Sequence, residues 1–328
     1  MREKVLVVGG AGYIGSHVTD ALLRRGFKVA VFDNLSSGSI QNLCSDAEFF
    51  WGDLRDEARV QQVFEGFRPT VVMHFAAKKA AGESMIRPEL YADHNIIGSI
   101  YLLNAMVQFG VKTIIFSSSA AVYGNPQYLP MDESHPLQPV NFYGFTKKAI
   151  EDLLDWYFRL HGIRYAALRY FNAAGVDVAG KLLGFESNPA NLVPLIMQVY
   201  RGQRPFLEVY GNDYDTPDGS CLRDYVHVTD LSEAHLAAME YLMAKGTPLI
   251  ANLGTENAYS VLQVVEALEK LTGQVLPVRI VGRREGDPPA LYAACGYAES
   301  LINWSPRYSD LETILSSSLE ASKRWPNR

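Results

Sequence analysis

Cysteines are few in this sequence, and they form no pattern that marks a site. Cys44, Cys221 and Cys295 are odd in number, widely separated and without paired Cys or His spacing. Neither a disulfide framework nor a zinc site is therefore indicated, and we predict no bound metal. We interpret all three as buried, reduced thiols, which pack as small hydrophobic side chains.

An excess of positive charge is also missing. The chain of 328 residues has 30 Lys and Arg against 36 Asp and Glu, which gives a formal net charge of -6. Binding to a nucleic acid or to an anionic membrane would require a basic surface, so we expect neither partner. Any anionic ligand must then be bound by local arginines.

Long apolar runs are absent as well. No run reaches the roughly 20 residues that cross a bilayer, and the chain starts with a strand pattern instead of a targeting segment. We therefore expect a cytoplasmic protein. Its 48% hydrophobic and 20% charged residues are typical of a globular chain, and its length suits one large domain or two unequal ones.

Short apolar runs do occur, and they alternate with helical patterns in the first half of the chain. Six of them predict strands, at residues 4–9, 28–32, 48–51, 70–74, 111–116 and 165–171. Because parallel strands need helical crossovers, the alternation predicts an α/β fold whose residues 1–176 form a doubly wound, parallel, Rossmann-type sheet. After a loop over 177–191 the alternation breaks, which predicts a smaller, mixed α/β domain in residues 177–328, with room for some segments to return to the first domain.

A glycine-rich loop joins the first predicted strand to the first predicted helix. Gly9, Gly12 and Gly15 let the chain turn tightly, let the backbone approach a pyrophosphate and let the helix pack closely on the strand. The helix N-terminus then faces the phosphates. A three-glycine loop alone is weak support, but its place between strand and helix is the one that dinucleotide binding requires.

Acidic and basic residues follow the next strands. Asp33 lies 18 residues after Gly15 (33 - 15), close to the spacing at which a carboxylate binds the adenosine ribose of NAD and repels the 2'-phosphate of NADP. The alternative is that Asp33 merely begins a turn with Asn34. Asp53 either meets the adenine or caps the next helix, and Lys79 lies where ligands bind in open α/β sheets.

Tyr143 and Lys147 are four residues apart at the start of a predicted helix over 142–161. Four helical residues advance about 6 Å and return to the same face, so the ammonium can lie beside the phenol and make it an acid/base. Ser119, in a serine cluster after the fifth strand, is placed to relay the proton. Chance spacing and an ordinary serine-rich loop are the alternatives.

Arginines in the C-terminal half suit a second, phosphorylated ligand. Arg223 and the pair Arg283-Arg284 offer planar guanidinium groups that bind phosphate oxygens in pairs. The alternative is a set of surface ion pairs with Asp224 and Asp287.

Together, the glycine loop, the serine cluster, Tyr143-x-x-x-Lys147 and the Arg-x-Gly-Asp segment resemble the extended short-chain dehydrogenase/reductase family. Within it, Arg169-Tyr170-Phe171-Asn172 and the segments 210–214, 223–231 and 283–287 resemble the 4-epimerases of UDP-hexoses over nearly the whole chain. Segment 181–187 departs from the family, since it lacks the expected Gly-Glu-Asp.

The resemblance implies a cofactor, a substrate and a homodimer joined through the helices that carry Asn95 and Tyr143. It implies NAD contacts at Tyr13, Ile14, Asp33, Asn34, Leu35, Ser36, Ser37, Gly38, Asp53, Leu54, Phe75, Ala76, Ala77, Lys79, Asn95, Tyr143, Lys147 and Phe171. It implies UDP-sugar contacts at Ser119, Tyr143, Asn172, Asn191, Leu192, Tyr210, Arg223, Arg284, Asp287 and Leu291.

The implied reaction is reversible inversion at C4 through a 4-keto sugar, with bound NAD as transient hydride acceptor and Ser119, Tyr143 and Lys147 as catalytic residues. A 4,6-dehydratase would need an Asp-Glu pair where this chain has Ala120 and Ala121, and a non-catalytic NAD-dependent sensor would not need the catalytic trio. The family's sugar gate is Leu291 here, which predicts UDP-galactose and UDP-glucose with some UDP-N-acetylhexosamine activity. A UDP-pentose substrate stays open.

Overall fold

Seven parallel strands form the main sheet of the protein. The computed structural model describes residues 3–186, 188–284 and 287–326. The strands of this sheet are β1 Lys4–Val8, β2 Lys28–Asp33, β3 Glu48–Trp51, β4 Val71–His74, β5 Thr113–Ser117, β6 Arg164–Tyr170 and β10 Leu249–Leu253. Their order is β10-β6-β5-β4-β1-β2-β3. The six predicted strands and the Rossmann-type sheet are confirmed.

Helices cover both faces of the sheet, as a parallel sheet requires. Those of the first half are α1 Tyr13–Arg24, α2 Glu57–Phe67, α3 Ala81–Ile86, α4 Pro88–Tyr91, α5 Gly98–Gln108 and α6 Phe142–His161. Those of the second half are α7 Leu192–Tyr200, α8 Val228–Lys245, α9 Val261–Thr272, α10 Gly296–Ile302 and α11 Leu311–Ser322. One apolar cluster lies beneath α1 and α8, and another beneath α2, α5 and α6.

The chain reverses its direction across the sheet between β1 and β4. From β1 it proceeds to β2 and β3 on one side, and from β4 to β5 and β6 on the other. The loops after β1 and β4 therefore part from each other and leave a crevice at the carboxyl ends of the strands. This crevice is where the glycine loop and the segment before Lys79 meet.

Helix α6 has the predicted bounds because both of its ends are capped. The Asn141 side chain accepts a hydrogen bond from the backbone N–H of Gly144, and Gly162 ends the helix in a left-handed conformation at φ 69°. Helices α4 and α5 are joined by a π-helical segment at Ala92–Ile97. This segment carries Asn95.

The C-terminal half contributes to both layers of the molecule. Strand β10 pairs with β6 at the sheet edge, and α8 packs against α1, so these segments do return to the first half. The remaining strands form two small sheets: β7 Asn172–Ala174, β9 Leu222–His227, β11 Ala258–Ser260 and β13 Ala290–Leu291 in one, and β8 Leu207–Tyr210 with β12 Val278–Val281 in the other.

The cysteine prediction needs a correction. All three thiols are free, but only Cys221 is buried, whereas Cys44 and Cys295 are half-buried. Burial raises the pKa of both half-buried thiols to about 12, with nearby carboxylates adding to the shift, so they stay protonated at neutral pH.

Over residues 3–186, 188–284 and 287–326, no helix is long and apolar enough to span a membrane. The same residues contain no cluster of His, Cys, Asp and Glu suited to a metal ion.

Candidate active site

Two glycines of the loop after β1 are required by close contacts. Gly9 has φ +84°, and a Cβ there would lie 2.5 Å from the backbone nitrogen of Ala76 in the loop after β4. A Cβ on Gly15 would lie 2.2 Å from the carbonyl oxygen of Gly9. Both distances are shorter than any real Cβ contact, so a side chain at Gly9 would push the two crevice loops apart, and one at Gly15 would push α1 away from the glycine loop.

The N-terminus of α1 opens into this crevice. Gly12 is the N-cap residue, no side chain caps the helix, and its first turn contains no acidic residue. Gly12, Tyr13 and Ile14 all line the cleft. Uncapped N–H groups at the positive end of a 12-residue helix are suited to an anionic group such as a pyrophosphate.

Asp33 forms the turn and also faces the cleft, where its contact with the adenosine ribose stays a prediction. Its carboxylate accepts hydrogen bonds from the backbone N–H of Leu35 at 2.8 Å, which forms the turn, and from that of Ala11 at 3.0 Å. It also lines the cleft. Burial raises the pKa of Asp33, while these two N–H groups oppose the shift. Leu35, at φ 59°, lies outside the cleft lining and contributes its backbone to the turn.

Asp53 lines the cleft and does not cap the following helix. Asp56 is the cap of α2, because its side chain accepts the backbone N–H of Arg59. Asp53 instead accepts hydrogen bonds from the Arg55 side chain and from Asn34 Nδ2 at 2.7 Å. These donors, Arg55 first, hold the pKa of Asp53 well below its usual range. The capping interpretation is therefore wrong, while the predicted adenine contact stays a prediction.

Two residues near the fourth strand have roles that the sequence did not indicate. Lys79 lines the cleft and forms an ion pair with Glu186 from the loop over 177–191. Asn95 is buried outside the cleft lining: it accepts the backbone N–H of Lys78 and donates to Thr146 Oγ1 at 3.0 Å. Asn95 thus ties the loop after β4 to helix α6.

The structure brings Ser119, Tyr143 and Lys147 together. The Tyr143 side chain lies near that of Ser119, which acts to lower the pKa of the phenol, and both residues line the cleft. Lys147 Nζ lies 5.8 Å from the centre of the Tyr143 ring and donates to the carbonyl oxygen of Ser117 at 2.7 Å. Tyr143 and Lys147 lie on one face of α6 and Ser119 lines the same cleft, while their catalytic roles stay predictions.

Burial dominates the ionisation of this trio. It raises the pKa of Tyr143, and the nearby Ser119 side chain opposes the rise. It lowers the pKa of Lys147 to about 7, against the opposing charge of Glu151. In the protein without its cofactor, the buried pocket therefore favours the neutral forms of both Tyr143 and Lys147.

Most of the predicted cofactor residues line one cleft. Its lining includes Gly9, Gly12, Tyr13, Ile14, Gly15, Asp33, Asn34, Ser36, Ser37, Gly38, Asp53, Leu54, Phe75, Ala76, Ala77, Lys79, Tyr143, Lys147 and Phe171, together with the predicted substrate residues Ser119 and Asn191. The sequence missed Gly52, His94, Ser117, Ser118, Tyr170 and Glu186, which also line it. The two serines belong to the cluster that contains Ser119, and Tyr170 belongs to the family segment Arg169-Tyr170-Phe171-Asn172, so these three had a signal.

The remaining predicted substrate residues lie on or beside the small sheets, except Leu192, which begins α7. Arg223 in β9 forms an ion pair with Asp287, and its guanidinium also donates to the carbonyl oxygen of Pro288 at 3.0 Å. Arg284 stacks over the Tyr210 ring, with its central carbon 4.2 Å from the ring centre. The proposed pair between Arg223 and Asp224 does not form.

Asp224 is buried and engaged elsewhere. Its carboxylate accepts hydrogen bonds from the Thr255 hydroxyl at 2.8 Å and from the backbone N–H of Ala293. Burial raises its pKa to about 6. Its carbonyl oxygen accepts Asn172 Nδ2 at 3.0 Å, which ties the segment after β6 to β9.

Leu291, the predicted sugar gate, packs against the segment that follows the serine cluster, and we call residues 117–123 the serine loop. It lies in β13, opposite Arg223 in the neighbouring strand. Its side chain packs against a small apolar cluster that contains Ala120, Val122 and Tyr123. Leu192 begins α7, and Asn191 precedes it at the cleft.

Comparison with known proteins identifies close relatives. The profile of the "NAD dependent epimerase/dehydratase family" matches residues 5–254. A protein of Halalkalibacterium halodurans named UDP-glucose 4-epimerase is 43% identical over 98% of this chain and 96% of its own length.

Solved structures agree with this similarity. The crystal structure of UDP-glucose 4-epimerase from Brucella ovis in complex with NAD superposes with a TM-score of 0.94 at 43% identity, over 97% of each chain. The enzyme of the same name from Bifidobacterium longum, in complex with NAD+ and UDP, gives a TM-score of 0.93 at 39% identity over 98% of each chain.

Proposed function

Because the chain belongs to the NAD dependent epimerase/dehydratase family, we propose that it reversibly converts UDP-galactose to UDP-glucose by 4-epimerisation, with NAD as its cofactor. The observation that carries the proposal is the convergence of Ser119, Tyr143 and Lys147 on the cleft that the glycine loop and Asp33 also line. Cofactor groups and acid/base groups are thus placed to act on one substrate.

The residues of the cleft fit NAD. The glycine loop leaves no room for side chains between the crevice loops, and α1 presents an uncapped N-terminus to a pyrophosphate. Asp33 is in place to accept hydrogen bonds from the adenosine ribose, and its negative charge disfavours the 2'-phosphate of NADP.

Inversion at C4 requires loss of the stereocentre, since a hydroxyl is a poor leaving group for direct displacement. When bound, NAD supplies reversible oxidation of C4 to a ketone. Tyr143 takes the proton of the C4 hydroxyl, directly or through Ser119, and returns it after the sugar presents its other face. One proton leaves and one comes back, so the enzyme regains its starting state.

Electrostatics decide whether Tyr143 can act as a base. A free phenol titrates near pH 10, about three units and about 4 kcal/mol from ready ionisation at neutral pH. Burial adds to this cost in the protein alone. The protonated Lys147 and the positive nicotinamide ring of the bound cofactor both favour the phenolate and must offset it.

The substrate's diphosphate is proposed to bind on the small sheets. Arg223 and Arg284 supply guanidinium groups there, and Asp287 lies beside Arg223. The B. longum relative binds UDP, which supports a UDP site in this chain. We likewise propose that residues 1–176 mainly bind NAD and residues 177–328 mainly bind the UDP-sugar. Two elements of the second part belong to the first in space: β10 pairs with β6 in the main sheet, and α8 packs against α1.

Two observations bear on the alternatives. Dehydration needs an acid/base pair after Ser119, and the positions there hold Ala120 and Ala121, whose methyl groups cannot move a proton. Leu291 is smaller than the tyrosine that excludes N-acetylated sugars in this family, and it packs beside the serine loop. We therefore propose a secondary activity on UDP-N-acetylhexosamines. UDP-pentoses and the cytoplasmic location stay predictions.

A homodimer is proposed for the same protein. Apolar side chains stand exposed on α3, on the π-helical segment and on α6: Met85, Ile86, Ile97, Phe145, Trp156 and Leu160. Burying them between two copies would remove this apolar surface from water. Sedimentation of wild type and of Trp156→Glu tests the dimer, which the charge should dissociate.

The function is tested by incubating the purified protein with UDP-galactose and identifying the sugar released from the product. UDP-glucose supports the proposal. A 4-keto-6-deoxy sugar would identify a dehydratase, and unchanged UDP-galactose would leave a non-catalytic sensor. The same assay with UDP-N-acetylglucosamine tests the secondary activity, which fails if no conversion occurs at any enzyme concentration.

A further inference from the structure

One face of α6 contacts three consecutive serines. Tyr143, Lys147 and Glu151 follow each other at four-residue intervals, so their side chains lie on successive turns of the same face. They face the segment 117–119: Tyr143 lies near the third serine, Lys147 donates to the carbonyl oxygen of the first, and Glu151 accepts the hydroxyl of the second at 2.5 Å. The first two contacts belong to the proposed acid/base site, whereas the third has had no role so far.

Glu151 belongs to a buried ion pair. Its two carboxylate oxygens accept Arg169 Nε at 2.9 Å and a terminal nitrogen of Arg169 at 2.6 Å, and both side chains are at most 4% exposed. The other terminal nitrogen of Arg169 donates to the Tyr123 hydroxyl at 3.0 Å. The pair therefore holds the serine loop at two points, Ser118 near its start and Tyr123 near its end.

A buried ion pair is not required to fill this part of the core. Apolar residues of similar volume often stabilise a fold as well as a buried ion pair does, because the charges must first lose their water. The carboxylate here accepts three hydrogen bonds, from Ser118 and twice from Arg169. A carboxamide has a single acceptor oxygen and cannot accept all three in this geometry.

We propose that Glu151, held by Arg169, is a positioning residue for the proposed epimerisation: through Ser118 it fixes the serine loop so that Ser119 meets Tyr143. The proposal rests on the proposed function, since its effect is read in that reaction. It places Glu151 behind the reacting groups, outside the cleft lining, whereas Ser118 lines the cleft and bonds to Glu151. The serine loop is thereby held against the first turn of α6, which carries Tyr143.

The same carboxylate acts on Lys147. The titratable groups that face this lysine are His74 from β4 and, from its own helix, Tyr143 and Glu151. His74 is neutral near pH 7, because burial and the lysine charge lower its pKa to about 3. The negative charge of Glu151 opposes the lowering of the Lys147 pKa by burial. Loss of this charge should therefore let Lys147 lose its proton at lower pH.

The first test breaks the link to the loop and keeps the ion pair. Ser118→Ala should lower kcat about tenfold with unchanged KM and unchanged bound NAD, because the position of Ser119 relative to Tyr143 is no longer fixed. Ser232→Ala is the matched control, since Ser232 is also buried and donates within α8, and it should behave as wild type. Wild-type kcat in Ser118→Ala, or a parallel loss of kcat and bound NAD, would show that the contact is merely structural.

The second test removes both charges at similar volume. Glu151→Leu/Arg169→Met should lower kcat and move the alkaline limb of its pH profile to lower pH, which a purely structural role would not do. The control is Glu266→Gln/Lys270→Gln, an exposed pair on α9. An unshifted limb in the first double variant overturns the role toward Lys147, and if that variant does not fold, Ser118→Ala decides. Failure of wild type to form UDP-glucose would refute the proposed function instead.

Discussion

The cofactor side and the substrate side of the molecule are built differently. On the cofactor side, loops that follow parallel strands meet at one edge of one sheet, and backbone groups fix the functional side chains, as the N–H groups of Ala11 and Leu35 fix Asp33. On the substrate side, functional residues lie on short strands of small sheets and bind one another, as Arg223 binds Asp287. Asp33 is thus held by backbone N–H groups at the end of a main-sheet strand, whereas Arg223 is held by an ion pair between side chains.

The difference predicts which measurement each variant changes. A change among the acid/base groups should alter turnover, and a change at the crevice loops should alter cofactor binding. A change on the small sheets should alter KM for the UDP-sugar and leave bound NAD as it is. Four substitutions examine this separation, from the largest expected effect to the smallest.

Tyr143→Phe should have the largest effect. Loss of the acid/base group is expected to lower kcat about a thousandfold, within the range of general acid–base catalysis, with KM and bound NAD unchanged. Steady-state kinetics and the cofactor content of the purified variant check this. Tyr241→Phe removes a hydroxyl that bonds to Thr247 at the end of α8, so it is the control and should retain full activity. Near wild-type turnover in Tyr143→Phe would remove the mechanism.

Arg223→Ala examines the substrate side. Loss of a charge-assisted contact of about 2 kcal/mol should raise KM about thirtyfold, with little change in kcat or bound NAD. Arg25→Ala removes an exposed arginine that also pairs with carboxylates, and it should leave KM unchanged. A loss of bound NAD in Arg223→Ala would contradict the separation of the two sides.

Asp33→Asn examines the crevice. Removing the negative charge should shift the ratio of NAD to NADP bound toward NADP by about tenfold, because repulsion of the 2'-phosphate is lost. Competitive binding of the two cofactors to the variant measures the ratio. Asp46→Asn, an exposed carboxylate, is the control. An unchanged ratio would mean that Asp33 serves the turn alone.

Leu291→Tyr should have the smallest effect, confined to substrate choice. A bulky ring beside the serine loop is expected to lower kcat/KM for UDP-N-acetylglucosamine about tenfold relative to that for UDP-galactose. Leu271→Tyr adds the same ring at a half-exposed position of α9 and should leave the ratio unchanged. Equal effects on both sugars in Leu291→Tyr would show that the residue does not select between them.

These two sides also differ in how far the sequence predicts them. The helix over 142–161 and the strands of the first half are predicted, because periodicity is a local property. Strand β9 is missed, since Arg223 and Asp224 interrupt any apolar pattern there. Asp224 is buried only because Thr255 and Ala293 come from distant parts of the chain to satisfy it.

Contacts between distant segments explain what the sequence did not indicate at Asn95, Glu186 and Glu151. Asn95 binds the backbone of Lys78, and its implied contact with NAD stays a prediction. Glu186 pairs with Lys79, which is 107 residues away in the sequence, and Glu151 in α6 pairs with Arg169 in the following strand β6. Such partners become visible only once the sheet has brought the segments together.

The central claim is that C4 of the sugar is oxidised and reduced again within one turnover. Conversion of UDP-galactose labelled with deuterium at C4, in ordinary water, tests it most directly. We predict that the UDP-glucose formed retains the deuterium at C4. Loss of the label to solvent would contradict the account.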